Sequence, residues 1–154
     1  MSATATATAT PAPAADPRNL ALAHYAARAV LERVLARHGF TFQQQVALRA
    51  AIAAEAPLTR DELVAQVHGS LKADPSEIGA TLDELLAEGL LVADGERLRP
   101  TEPGRERFAA AGAEGAPISA RVWGGIPAED LAAAGRVLAL VTERANAELA
   151  ALTD

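Results

Sequence analysis

His24, His38 and His68 are the side chains of this 154-residue sequence best suited to hold a metal or move a proton, yet they are scattered and fit no ligand spacing such as His-Glu-x-x-His. Two adjacent carboxylate pairs, Asp61-Glu62 and Asp83-Glu84, are the next candidates. On a helix neighbouring side chains point about 100° apart, so neither pair can act as a matched general acid and base. Cysteine is absent, which excludes thiol chemistry and disulfides, and no glycine-rich phosphate loop occurs. An enzyme is therefore not expected, and neither is a metal or cofactor. What remains is surface chemistry, and its meaning depends on the elements that would carry it.

Those elements are marked by caps. Asp16 followed by Pro17 opens a helix running to about His38, before Gly39, with Leu20, Tyr25, Val30, Leu31, Val34 and Leu35 as its apolar stripe. Thr41 with Gln44 three residues later is a capping box for a second helix, holding Val46, Leu48 and Ile52 inward, and Thr59 with Glu62 opens a third with Leu63, Val64 and Val67. Asp74, Pro75 and Glu77 start a fourth, which should end at Gly89. Leu90 to Val92 then leads to Asp94-Gly95, a dipeptide suited to a tight turn, and Arg97 to Arg99 returns as the second strand. The pattern reads as a winged helix-turn-helix, with three helices and a short two-stranded wing over residues 41–104. Thr101 should begin another helix through Phe108 and Ala111 that ends in a loop at Gly112 to Pro117. Ile118 to Val122 could extend it, and Trp123-Gly124-Gly125 interrupts the pattern. Pro127, Glu129 and Asp130 start a last helix, to about Leu152, whose inner face would hold Leu131, Leu138, Val141, Ala145 and Leu149. The expected organisation is mainly α: a tail over 1–15, then one domain over 16–154 in which helices near 17–38 and 105–152 flank the winged module. These flanking Ala/Leu faces exceed what one copy can cover, so a homodimer is expected.

The order of these strings resembles the MarR family of bacterial transcriptional regulators. Gly39-Phe40-Thr41 through Gln44 is similar to the start of that family's second helix, and Pro57-Leu58-Thr59 through Leu63 to the opening of its helix-turn-helix. Glu88-Gly89-Leu90-Leu91 is similar to the end of its recognition helix, and Thr101-Glu102-Pro103-Gly104-Arg105 to the exit from its wing. Ile126 through Leu131 looks like the start of its last dimerisation helix. The resemblance covers residues 17–152. It implies a homodimer that reads palindromic double-stranded DNA and often answers to a small, frequently phenolic effector, and the absence of cysteine fits the cytoplasmic location expected for it.

On that footing Arg60, Lys72, Arg97 and Arg99 are candidate phosphate contacts, while Ser76, Gly79, Ala80 and Asp83 would form the groove-facing side of the recognition helix. His24, Tyr25 and Arg28 fall where the resemblance places the effector cleft, although a structural role is the competing reading. Ala80 and Glu84 stand where the family commonly carries arginine, and the wing is shorter than the family's. Residues 59–104 hold four basic side chains against ten acidic ones, a net of −6 that equals the charge of the whole chain. DNA-binding elements ordinarily concentrate positive charge, because phosphate neutralisation drives non-specific affinity. The alternative is thus a winged-helix interaction or sensor module that no longer touches DNA.

Composition narrows the remaining options. Half the residues are hydrophobic and only 3% aromatic, so the core must be aliphatic. Residues 1–15 alternate small residues without the basic start of a secretory signal and are expected to be disordered. No apolar run long enough for a membrane span occurs.

Overall fold

The computed structural model describes residues 12–153, so most of the expected tail, residues 1–11, lies outside the described residues. The elements run α1 (Pro17–Arg37), α2 (Phe42–Ala53), β1 (Leu58–Thr59), α3 (Arg60–Leu71), α4 (Pro75–Ala87), β2 (Leu91–Asp94), β3 (Arg97–Pro100), α5 (Glu102–Trp123) and α6 (Ala128–Thr153). The chain divides into two compact units, one up to Gly115 and one from Ala116 onward.

In the first unit the caps act as the sequence suggests. The Thr41 hydroxyl accepts from the Gln44 N–H while the Gln44 side chain accepts from the Thr41 N–H, and Thr59 and Glu62 repeat the arrangement. The Asp74 carboxylate accepts from the Ser76 N–H at 2.8 Å. Helix α4 ends at Gly89, whose φ of +71° lets the chain turn back. There the Leu90 N–H reaches the Leu85 carbonyl at 2.9 Å and the Gly89 N–H reaches that of Leu86 at 3.1 Å.

These elements enclose an aliphatic core in which Leu35, Leu48, Leu63, Val67, Ile78, Leu82, Leu85, Leu90 and Leu91 are the largest fully buried side chains. The sheet has the order β1-β3-β2, all antiparallel, with Leu91 opposite Pro100, Asp94 opposite Arg97 and Leu58 opposite Leu98. The wing turn falls at Gly95-Glu96, one residue later than the expected Asp94-Gly95: Asp94 closes β2 opposite Arg97, and Gly95 takes the positive φ of +61°. The third strand was not expected. Leu58-Thr59 is too short to show alternation, and it is defined by pairing with β3 rather than by its own residues.

Two expectations are corrected. Residues 112–117 form no loop: α5 continues unbroken from Glu102 through Gly112, Gly115 and Pro117 to Trp123. Proline removes one helical hydrogen bond and glycine weakens the helix, but tertiary anchoring holds this stretch. Ala111 is buried, and the Glu114 carboxylate is bonded to the Arg37 guanidinium and, at 2.7 Å, to His38 Nε2 at the C-terminus of α1. The second correction concerns the apolar stripes. Within α1 only Val34 and Leu35 are buried, whereas Leu20, Tyr25 and Val30 are exposed. In the second unit α6 buries no residue; Leu138, Val141 and Leu149 are exposed and Leu131 is half-buried. The periodicity is real, but these faces are left exposed or half-exposed rather than buried among the described residues.

Bonding to His38 and then to Arg37 holds the Glu114 carboxyl below its ordinary value of 4.5. A carboxylate whose folded value is depressed stabilises the fold above its unfolded value, and that contribution is lost as pH falls through the folded value. Glu114→Gln should therefore lower stability at pH 7 and converge with the wild type in acid. Urea titrations at pH 7 and pH 3 check this, and a difference that stays constant would exclude the linkage.

Candidate nucleic-acid interface

A helix-turn-helix needs a short, rigid link between its two helices, and here the link is Lys72-Ala73-Asp74. Lys72 ends α3 in the left-handed conformation, with φ +56°, and its ammonium donates to the Gly69 carbonyl at 2.7 Å. His68 Nδ1 lies 2.7 Å from the Ala73 carbonyl oxygen across the same link. Asp74 caps α4 and also accepts from the Ser76 hydroxyl at 2.5 Å. That bond, followed by the Ser76 N–H, holds the Asp74 carboxyl below its usual range.

Helix α4 buries Ile78, Thr81, Leu82 and Leu85, which leaves Ser76, Ala80 and Asp83 exposed together on another face. Gly79 is half-buried because Arg60 lies against it. The Arg60 guanidinium donates through Nη2 to the Gly79 carbonyl at 2.8 Å and pairs through Nη1 with Asp83 Oδ1 at 2.8 Å. Arg97 donates to the Pro57 carbonyl at 2.7 Å and lies 3.8 Å from Glu62. Arg99 Nε lies 3.6 Å from Asp94, with both side chains more than half exposed. The structure thus groups Ser76, Gly79, Ala80, Asp83 and Arg60 on one side of α4. Lys72 sits at the inter-helix link, and Arg97 and Arg99 sit on the wing. All four basic side chains of the module already have an intramolecular partner.

The fold that carries these residues has clear counterparts among solved structures. A MarR family transcriptional regulator from Rhodococcus sp. RHA1 superposes with a TM-score of 0.66 at 22% identity, over 80% of this chain and 89% of its own. CouR from Rhodococcus jostii RHA1, solved bound to p-coumaroyl-CoA, gives 0.67 at 21% identity, over 80% and 88%. Sco5413, a MarR family transcriptional regulator from Streptomyces coelicolor, gives 0.68 at 20% identity, over 84% and 91%. The fold is that of the MarR family. No family model matches the sequence, and no curated protein matches it.

Within this MarR-like fold, Glu84 does not share the Asp83 face. It accepts from Gln44 Nε2 at 2.9 Å, and the same amide donates to Glu88 at 3.2 Å. Glu88 also pairs with Arg107 of α5 at 3.1 Å, and the Arg107 guanidinium lies over the Phe40 ring. Gln44 is itself buried, so this network ties the end of α4 to α2 and α5. The sequence hinted only at the capping role of Gln44. Its second role depends on which helix packs against it. Thr81 likewise belongs to the interior, where its hydroxyl donates to Gln43 at 2.9 Å.

The effector candidates are less convergent. His24 and Tyr25 stack edge to face at 5.9 Å, with Tyr25 exposed. Arg28 pairs with Glu32 at 2.9 Å and lies over the Phe42 ring at 4.4 Å. A separate cleft of about 360 Å³ is lined by Glu55, Arg99, Glu102 and Arg105 among others, and by none of the three candidates.

Proposed function

We propose that this chain is a transcriptional regulator that binds double-stranded DNA as a homodimer on a palindromic operator, with a small-molecule effector as its controlling input. The observation that carries the reading is the exposed Ser76, Ala80 and Asp83 face of α4, set beside a two-arginine wing in a fold shared with solved regulators. Apolar surface supports the dimer: Leu20, Leu22, Tyr25 and Val30 are exposed on α1, and Val137, Leu138, Leu140 and Val141 on α6. No helix among the described residues is long and apolar enough to cross a membrane.

The pairs that now hold Arg97 and Arg99 are solvent-exposed, and such pairs are worth about 0–1 kcal/mol, so phosphate can replace them at little cost. Replacing both arginines with alanine should weaken binding to operator and random duplexes alike. The slope of log affinity against log salt should fall by roughly one per lost phosphate contact. Fluorescence anisotropy with duplexes from around the protein's own gene measures both quantities.

A second reading is favoured by the net charge of −6 over residues 59–104 and by the intramolecular partners of its basic side chains. In that reading the module docks on another protein. It expects no salt-sensitive binding of the wild type to any duplex, so the same titration separates the two.

A further inference from the structure

We propose that Asp83, anchored by Arg60, is a base-reading residue selecting cytosine in each half-site, an inference that rests on the DNA-binding reading above. An exposed carboxylate on a groove-facing helix repels phosphate, and without a specific role it would weaken the interface. Here it is neither free nor neutralised by chance. Arg60, at the first position of α3, crosses to α4 and is fixed at two points, the Gly79 carbonyl and Asp83 Oδ1, both at 2.8 Å. A side-chain carbon at the half-buried Gly79 would lie 3.5 Å from Arg60 Nη2, an ordinary van der Waals contact, so it is the Gly79 carbonyl rather than the missing side chain that serves this crossing.

The result is a solvent-exposed carboxylate whose Oδ1 is paired with Arg60 at 2.8 Å, which balances its charge. Arg60 has further N–H donors beyond the two it uses. A carboxylate only accepts. In the major groove it therefore suits the cytosine amino group and is repelled by the acceptors of guanine and thymine. Adenine offers an amino group too, but its neighbouring N7 is an acceptor that a carboxylate cannot satisfy. The remaining Arg60 donors complement the O6 and N7 acceptors of the guanine paired with that cytosine, or of a neighbouring guanine. Ser76 and Ala80 lie on the same face and carry small side chains that leave the approach open.

The test is selection of bound duplexes from a randomised library by the full chain, followed by competition titrations with single base-pair changes. For the wild type a C·G pair in each half-site should be preferred by roughly tenfold. Asparagine both donates and accepts, so Asp83→Asn should move the preference at that position to adenine, and Asp83→Ala should flatten it. Arg60→Ala should reduce the cytosine-to-adenine ratio at that position, whereas a purely structural role would weaken all sequences equally. Circular dichroism confirms that each variant is folded. DNA binding by the wild type with unchanged base preference in Asp83→Asn overturns this inference alone. Absence of wild-type binding to every duplex overturns the DNA-binding reading with it.

Discussion

Leu138→Glu combined with Val141→Glu should convert a dimer at micromolar concentration into a monomer. Both side chains are exposed on α6, at 44% and 43%, as are Val137 and Leu140 beside them. Apolar burial is worth about 25 cal/mol per Å², and a stable dimer removes roughly 800 Å² from each partner, so a helix with no fully buried residue in its own chain is the natural source of that area. Four buried carboxylates in such an interface, two from each copy, would be unpaired and strongly unfavourable. Light scattering should report twice the chain mass for the wild type and the single mass for the variant. Operator affinity should fall by roughly 10²–10⁴-fold, because linked reading heads bind two half-sites at high effective concentration. A wild type that is monomeric at micromolar concentration would remove the basis for palindrome recognition.

Gly104→Ala should be the most damaging single methyl addition to the winged module. Gly104 is buried in the first turn of α5, and its N–H donates to the Thr101 hydroxyl at 3.0 Å. A side-chain carbon at this position would lie 2.2 Å from the Leu90 carbonyl oxygen and 3.1 Å from its carbonyl carbon. The obstacle is backbone, and it cannot rotate away. The same Leu90 carbonyl accepts from the Thr101 N–H at 3.1 Å, and the Thr101 hydroxyl donates to the Gly89 carbonyl at 2.7 Å, so moving it disturbs the joint between α4, the wing and α5. Overpacking of this kind costs about 3 kcal/mol, a large share of the roughly 5–15 kcal/mol that holds a domain folded. Gly112→Ala is the control: it lies in the same helix, meets nothing within 4 Å, and should stabilise by about 0.5–1 kcal/mol. Chemical denaturation of both variants tests the contrast. Equal effects would show that α5 can shift to accommodate the added carbon.

Local rules were legible where the signal is local. Asp16, Thr41, Thr59 and Asp74 mark helix starts because a side-chain oxygen must satisfy a backbone N–H two or three residues on, and each does so in the structure. Gly89 and Gly95 mark the end of α4 and the start of the wing turn because glycine tolerates the positive φ each position adopts, although the turn takes in Glu96 rather than Asp94. The periodic leucines of α3 and α4 identified the core face of the module, and Ile78, Leu82 and Leu85 are buried there.

What the sequence could not decide was what meets what. Gly112, Gly115 and Pro117 argue locally for a break, and the helix persists because Glu114 is held from α1 by Arg37 and His38. The strand Leu58-Thr59 exists only as a partner of β3. Arg60, Lys72, Arg97 and Arg99 look like free cations in the sequence, but the fold supplies each with an acceptor. Asp83 and Glu84 are neighbours in the chain and both exposed, yet one pairs with Arg60 of α3 and the other with Gln44 of α2. Caps, turns and periodicity are short-range properties of the chain. The partners of Arg60, Glu84, Gly104 and Glu114 are set by packing between residues 14 to 77 positions apart, and only the tertiary structure brings them together.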